Sequence, residues 1–162
     1  MTEPTSPEEP TPELTPAVMG AAQTRADLHD AMFQAEDAIA AAAPGGRFQE
    51  WADTVQAALA HLHAAFHAHI EVAESPDGLY EEVLEREPRL RSQVTRLKEE
   101  HPVILAAIHE PFERLSNRGE EYIPAEDVRR EVTVVLGRIT RHRQRGADLV
   151  WEAYYVDLGG LD

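Results

Sequence analysis

The sequence predicts an all-α protein, an antiparallel four-helix bundle with a disordered N-terminal tail. Apolar residues recur every three or four positions in four segments, which is typical of amphipathic helices. No segment alternates apolar and polar residues as a half-buried strand does. The joints between the segments are short, which favours antiparallel neighbours. With 162 residues, 43% of them hydrophobic, the chain has the size of one domain.

The predicted tail comprises residues 1–16. It contains five prolines and four glutamates, and it has no lysine or arginine. Such a segment buries too little apolar surface to offset the entropy lost on ordering. We therefore expect a tail at 1–16, the bundle at 17–158 and a short C-terminal tail at 159–162.

Proline and glycine mark the ends of the predicted helices. The first and second helices end at Pro44-Gly45-Gly46 and at Pro76-Asp77-Gly78, and the third begins at Glu87-Pro88. The predicted helices cover, in order, residues 17–43, 47–75, a short segment at 79–86, then 87–116 and 125–156.

Composition excludes several classes of function. The formal charge of −15 makes nucleic acid a poor partner, because binding a polyanion needs a basic face. The absence of cysteine excludes disulfides, zinc–thiolate sites and a thiol nucleophile. No apolar run approaches the ~20 residues of a membrane span, and the N-terminus lacks the pattern of a secretory signal. We therefore expect a cytoplasmic protein with no membrane partner.

Histidines and carboxylates at inward positions are the candidates for chemistry. His101 occupies a core position of the third long helix, and His142 adjoins the apolar stripe of the fourth. On the first helix His29 and Glu36 lie seven residues apart, so they point in the same direction.

The second helix carries more candidates than one site needs. His63, His67 and Glu74 lie within about 40° of one another at one edge of its apolar face, and His69 lies at the other edge. His67 and Glu71 have the i, i+4 spacing that lets two side chains bind one ion.

These residues together predict a metal site. Burying several imidazoles and carboxylates in one core costs several kcal/mol each unless they are paired or coordinate a metal. Imidazole and carboxylate ligands without thiolate suit iron or manganese, with zinc as an alternative. A ferritin-like site is not expected, because no histidine has a glutamate three positions before it.

The motifs resemble the hemerythrin-like (HHE) family over roughly residues 25–155. His29 matches the histidine of the family's first helix. The other matching segments are His67-Ala-His69-Ile-Glu71-Val-Ala-Glu74 with Gly78-Leu79-Tyr80, then Glu100-His101-Pro-Val-Ile, then His142 through Asp148-Leu-Val-Trp151. On the second helix His67 and Glu71 keep the family's spacing, whereas His69 and Glu74 fit better relative to Gly78-Leu79-Tyr80. The second pair is our preferred alternative.

The resemblance implies two non-haem irons per chain, held in the core of the bundle and open to O₂, peroxide or nitric oxide. Glu74 and Asp148 would bridge the irons, and the terminal ligands would be His29, His69, His101 and His142. The family usually has a second histidine where this chain has Leu105. Glu36, or less favourably His109, would replace that ligand.

Two other functions remain open from the sequence. The same bundle could oxidise an organic substrate or bind a single metal ion. Alternatively, it could be a metal-free helical interaction module whose histidines are structural.

Overall fold

The computed structural model describes residues 14–43, 46–119 and 123–156, and these residues form four long helices and one short helix. The helices are α1 (Pro16–Ala40), α2 (Phe48–Glu74), α3 (Leu79–Arg86), α4 (Arg91–Ser116) and α5 (Ala125–Tyr154). The described residues contain no strand, which confirms the predicted all-α class. Within these ranges, no helix combines the length and the apolar character needed to cross a bilayer. Residues 1–13 of the predicted tail and residues 157–162 lie outside the described ranges.

The helix ends follow local signals in the sequence. Thr15 caps α1 by accepting a hydrogen bond from the backbone N–H of Val18 at 3.2 Å. Gly78 separates α2 from α3, and a Cβ at this position would lie 2.5 Å from the carbonyl oxygen of Val72. The third long helix starts later than predicted, because Pro88–Leu90 forms a 3-10 turn before α4 begins at Arg91.

The buried apolar residues form two separate clusters. The large cluster draws on α1, α2, α4 and α5. The small cluster combines α3 with one end of α2, α4 and α5, and Val18 and Ala21 of α1 pack against it. Leu28, Leu59 and Ile139, which belong to the recurring apolar residues of three predicted helices, are all fully buried in the large cluster.

Histidines lie where the two clusters meet. The boundary falls between Phe66 and Ala73 on α2, between Leu97 and Ile104 on α4, and between Ile139 and Leu149 on α5. Each of these intervals contains one inward histidine, which is His69, His101 or His142. On each of these three helices, one histidine therefore interrupts the apolar core, and the three histidines lie at the same boundary between the clusters.

Candidate metal centre

Three histidines from three helices converge between the two clusters. One ring nitrogen from each of His69, His101 and His142 lies within 4.8 Å of the others. The exposed fraction of His101 and of His142 is only 2%, and His69 is mostly buried. Among the described residues, no other three histidine or acidic side chains converge in this way.

Helical register brings these side chains inward. His101 follows the buried Leu97 by four residues, and His142 follows the buried Ile139 by three. His69 follows the buried Phe66 by three residues. Spacings of three and four keep side chains on one face of a helix, so each histidine continues the core-facing stripe of its helix.

The three rings stand around one aromatic side chain. The Nε2 atoms of His69 and His142 are 3.3 Å apart. The ring centroids of the three histidines are separated by 4.9 to 5.6 Å. The fully buried Phe66 lies 5.6 to 5.8 Å from each of the three rings. Phe66 therefore excludes water from one side of the histidine cluster.

Carboxylates contact the Nδ1 atom of two of the rings. Nδ1 of His142 lies 2.9 Å from Glu100, and Nδ1 of His101 lies 2.5 Å from Glu74. Arg145 pairs with the same Glu100 oxygen at 2.8 Å. Burial would raise the pKa of Glu100, but the hydrogen bonds from Arg145 and His142 outweigh it and lower that pKa.

These contacts fix which nitrogen carries the proton. An ionised carboxylate only accepts hydrogen bonds, so Nδ1 of His101 and of His142 must donate. The Nε2 atoms of both rings then carry lone pairs, and that of His101 lies 3.4 Å from the hydroxyl of Tyr80. Burial and the nearby Glu74 and Glu100 raise the pKa of Tyr80, so its hydroxyl stays protonated and can donate.

All three imidazoles favour the neutral form. Burial lowers the pKa of His69 to about 3, and the neighbouring His142 and His101 rings add to the shift. Burial also lowers the pKa of His101 and of His142, against the opposing effect of their carboxylate partners. Neutral imidazole is the form that binds metal, so the cluster needs little proton release to become a ligand set.

The other four preferred ligands from the sequence do not join the three converging nitrogens. They are His29, Glu36, Glu74 and Asp148. His29 and Glu36 are exposed, because each directly follows a buried residue of α1 and is turned about 100° away from it. Asp148 is exposed and accepts a hydrogen bond from Gln144 at 3.0 Å. Glu74 contacts His101 from outside the group of converging nitrogens.

The remaining candidates lie toward the surface of the bundle. His67 and Glu71 are exposed and form a pair with each other at 3.7 Å. The His63 ring lies 6.1 Å from that of His109, which pairs with Glu113 at 3.5 Å. None of these residues joins the three converging nitrogens.

Glu100 and Arg145 contribute to the site although their roles were not predicted from the sequence. Glu100 is adjacent to His101 in sequence, but its carboxylate accepts a hydrogen bond from His142 of another helix. No periodic signal identifies such a contact, because it depends on how α4 and α5 are rotated against each other. Tyr80, which the sequence marks only as part of the Gly78-Leu79-Tyr80 motif, lies close to His101 in the structure.

The shifted histidines predict the pH dependence of the stability of the metal-free protein. The unfolded chain binds protons below its histidine pKa of about 6.5, whereas the folded chain keeps His69 neutral down to about 3. The free energy of unfolding should therefore fall as the pH drops below that of the unfolded histidine, and recover at higher pH. Between about pH 6 and pH 5, this loss should be ~1 kcal/mol larger in the native chain than in His69→Gln.

Urea unfolding with a chelator present measures this difference. The exposed His61 supplies the control, because His61→Gln should keep the pH dependence of the native chain. If the free energy of unfolding changes equally with pH in the native chain and in His69→Gln, the burial of a neutral His69 is contradicted.

Comparison of the chain with protein-family models, curated proteins and solved structures gives no match. The resemblance to hemerythrin-like proteins therefore stays a prediction.

Proposed function

We propose that the chain is a metal-binding helical bundle in which His69, His101 and His142 hold one transition-metal ion. The observation that carries this proposal is the convergence of three mostly buried, neutral imidazoles at one point of the core. Uncompensated burial of such polar rings is costly, and a shared ion would satisfy their lone pairs together.

The spacing of the rings fits a single ion. Two imidazole nitrogens bound to one ion at ~2.0–2.1 Å with tetrahedral angles lie about 3.3–3.4 Å apart. The Nε2 atoms of His69 and His142 are separated by 3.3 Å. Without an ion, the Nε2–H of His69 must donate a hydrogen bond to Nε2 of His142, because two lone pairs at this distance repel.

The carboxylates fit the same arrangement. Metal-bound histidines usually donate their other N–H to a carboxylate, which orients the ring and strengthens the ligand. Glu100 and Glu74 stand in that relation to His142 and His101. The two acidic side chains nearest the cluster would then orient ligands and would not themselves be ligands.

Three imidazole ligands leave a coordination position for a small molecule. Imidazole ligands without thiolate suit iron or zinc. When bound, such an ion would supply a binding position for O₂, peroxide or nitric oxide. The protonated hydroxyl of Tyr80 is 3.4 Å from His101 and is placed to donate a hydrogen bond to such a ligand.

A second candidate is the di-iron centre of a hemerythrin-like bundle. The close approach of Glu74 to His101 favours it, since a carboxylate beside a ligand histidine could bridge to another ion. The order of the two clusters along the helices supports the antiparallel arrangement of such a bundle, because it reverses from α1 to α2, α2 to α4 and α4 to α5. A second ion would need ligands such as Glu36 or Asp148, which are exposed.

Metal stoichiometry tests the two candidates. The full chain without a histidine tag, loaded with excess Fe²⁺ without oxygen or with Zn²⁺ and then desalted, should keep about one ion per chain. His101→Ala should keep almost none, because it removes one of three ligands. Elemental analysis measures the ion, and circular dichroism checks that the variant retains its helices.

His61→Ala is the matched control and should bind as the native chain does, because His61 is exposed on the same helix as His69. Two irons per chain would favour the di-iron candidate instead. A folded chain that retains no metal would contradict both, and would leave the helical interaction module.

The carboxylate of Glu100, which contacts His142, should increase the affinity for metal. We expect Glu100→Gln to weaken Zn²⁺ binding by about 10- to 100-fold, because the neutral amide orients and polarises the ring less well. Competition with a chromophoric chelator measures the affinity. The exposed neighbour gives the control Glu99→Gln, which should bind as the native chain does. Equal affinities for the two variants would show that Glu100 has no such role.

A further inference from the structure

A cavity of about 450 Å³ opens beside the histidine cluster. Side chains of α1, α2, α3 and α5 line it, and its walls are mainly apolar, including Val18, Leu79 and Val150. The rings of His69 and His142 form part of the wall. This volume lies in the range of pockets that hold small organic molecules.

Small residues keep the cavity open. Ala22 and Ala26 line it from α1, and Gly146 and Ala147 line it from α5. A Cβ atom built on Gly146 would meet no other atom within 4 Å. Glycine inside a helix costs about 1 kcal/mol relative to alanine, so the space at this position is maintained against helix propensity.

Two arginines stand in the wall without carboxylate partners. Arg25 of α1 and Arg143 of α5 both line the cavity. Neither forms a salt bridge with any carboxylate of the described residues. Arg143 contacts only weak acceptors, Nδ1 of His29 at 3.4 Å and the sulfur of Met32 at 3.8 Å, and its Nε is buried without a partner.

The two guanidinium groups also repel each other. Both are positively charged and line the same cavity. Within the described part of the chain, no carboxylate neutralises these two positive charges beside the apolar space. An anion bound there would therefore lower their electrostatic energy.

We propose that this cavity binds a small organic acid with an apolar body, whose carboxylate lies between Arg25 and Arg143. The planar guanidinium fork matches a carboxylate in shape and charge. The apolar walls suit a hydrocarbon chain, so a small anion such as acetate, which has none, would bind much more weakly. The bound molecule would lie against His69 and His142, and so beside the proposed metal.

The inference goes beyond the metal proposal and does not depend on it. Neither the two arginines nor the apolar side chains of the wall are among the proposed metal ligands. Binding can therefore be measured on chelator-treated protein, so that failure of the metal proposal and failure of this one give different results.

Titration calorimetry with decanoate tests the proposal on the full chain. Decanoate should bind, 1-decanol should bind at least about tenfold more weakly, and acetate should give no detectable heat. The loss of a charged hydrogen-bond partner predicts that Arg25→Gln and Arg143→Gln each weaken decanoate binding about tenfold or more. Gly146→Leu should weaken binding, because the new side chain would occupy part of the cavity while favouring the helix.

Arg141→Gln is the matched control, because Arg141 is exposed on the same helix as Arg143 and does not line the cavity. It should bind decanoate as the native chain does. Equal affinities for decanoate and decanol, unchanged binding by Arg25→Gln and Arg143→Gln, or no binding of decanoate would each overturn the proposal. Tighter binding of decyl phosphate would overturn the choice of a carboxylate.

Discussion

Three imidazoles in the middle of an apolar core are the constraint on which the rest of this structure depends. Each ring nitrogen there must find a partner, because an unsatisfied buried polar group costs about 1–3 kcal/mol. Glu74, Glu100 and Tyr80 provide partners for His101 and His142. The Nδ1 atom of His69 has none among the described residues, and its Nε2 faces only that of His142. The hydrogen bonds of the cluster are therefore incomplete at His69, and the proposed ion would bind the nitrogens that converge.

This constraint also organises the fold around the cluster. The histidines separate two apolar clusters, and Phe66 closes the side toward the larger one. On the other side, the short α3 brings Tyr80 to His101. The first helix supplies no ligand to the cluster and instead forms a wall of the adjacent cavity with small residues and Arg25. Water exclusion on one side and access on the other are what a reactive small-ligand site requires.

Periodicity predicted the helices, the core stripes and the inward positions of His101 and His142, because these follow from the chain's own register. It could not choose between His67 and His69, which lie at the two edges of one apolar face. It also placed Glu36 too close to the core, and the family resemblance did the same for Asp148, since neither a helical wheel nor a motif gives the rotation of a helix against its neighbours. The contact of Glu100 with His142 and the position of Arg25 and Arg143 in the wall of one cavity depend on that rotation.

The central claim is that one ion is held by His69, His101 and His142. Anomalous diffraction from crystals of the full chain grown with Co²⁺ would test it most directly. The account predicts a single strong peak in contact with one nitrogen of each ring, on the side away from Phe66. A peak at His63 and His109, or the three rings in these positions with no ion between them, would contradict it.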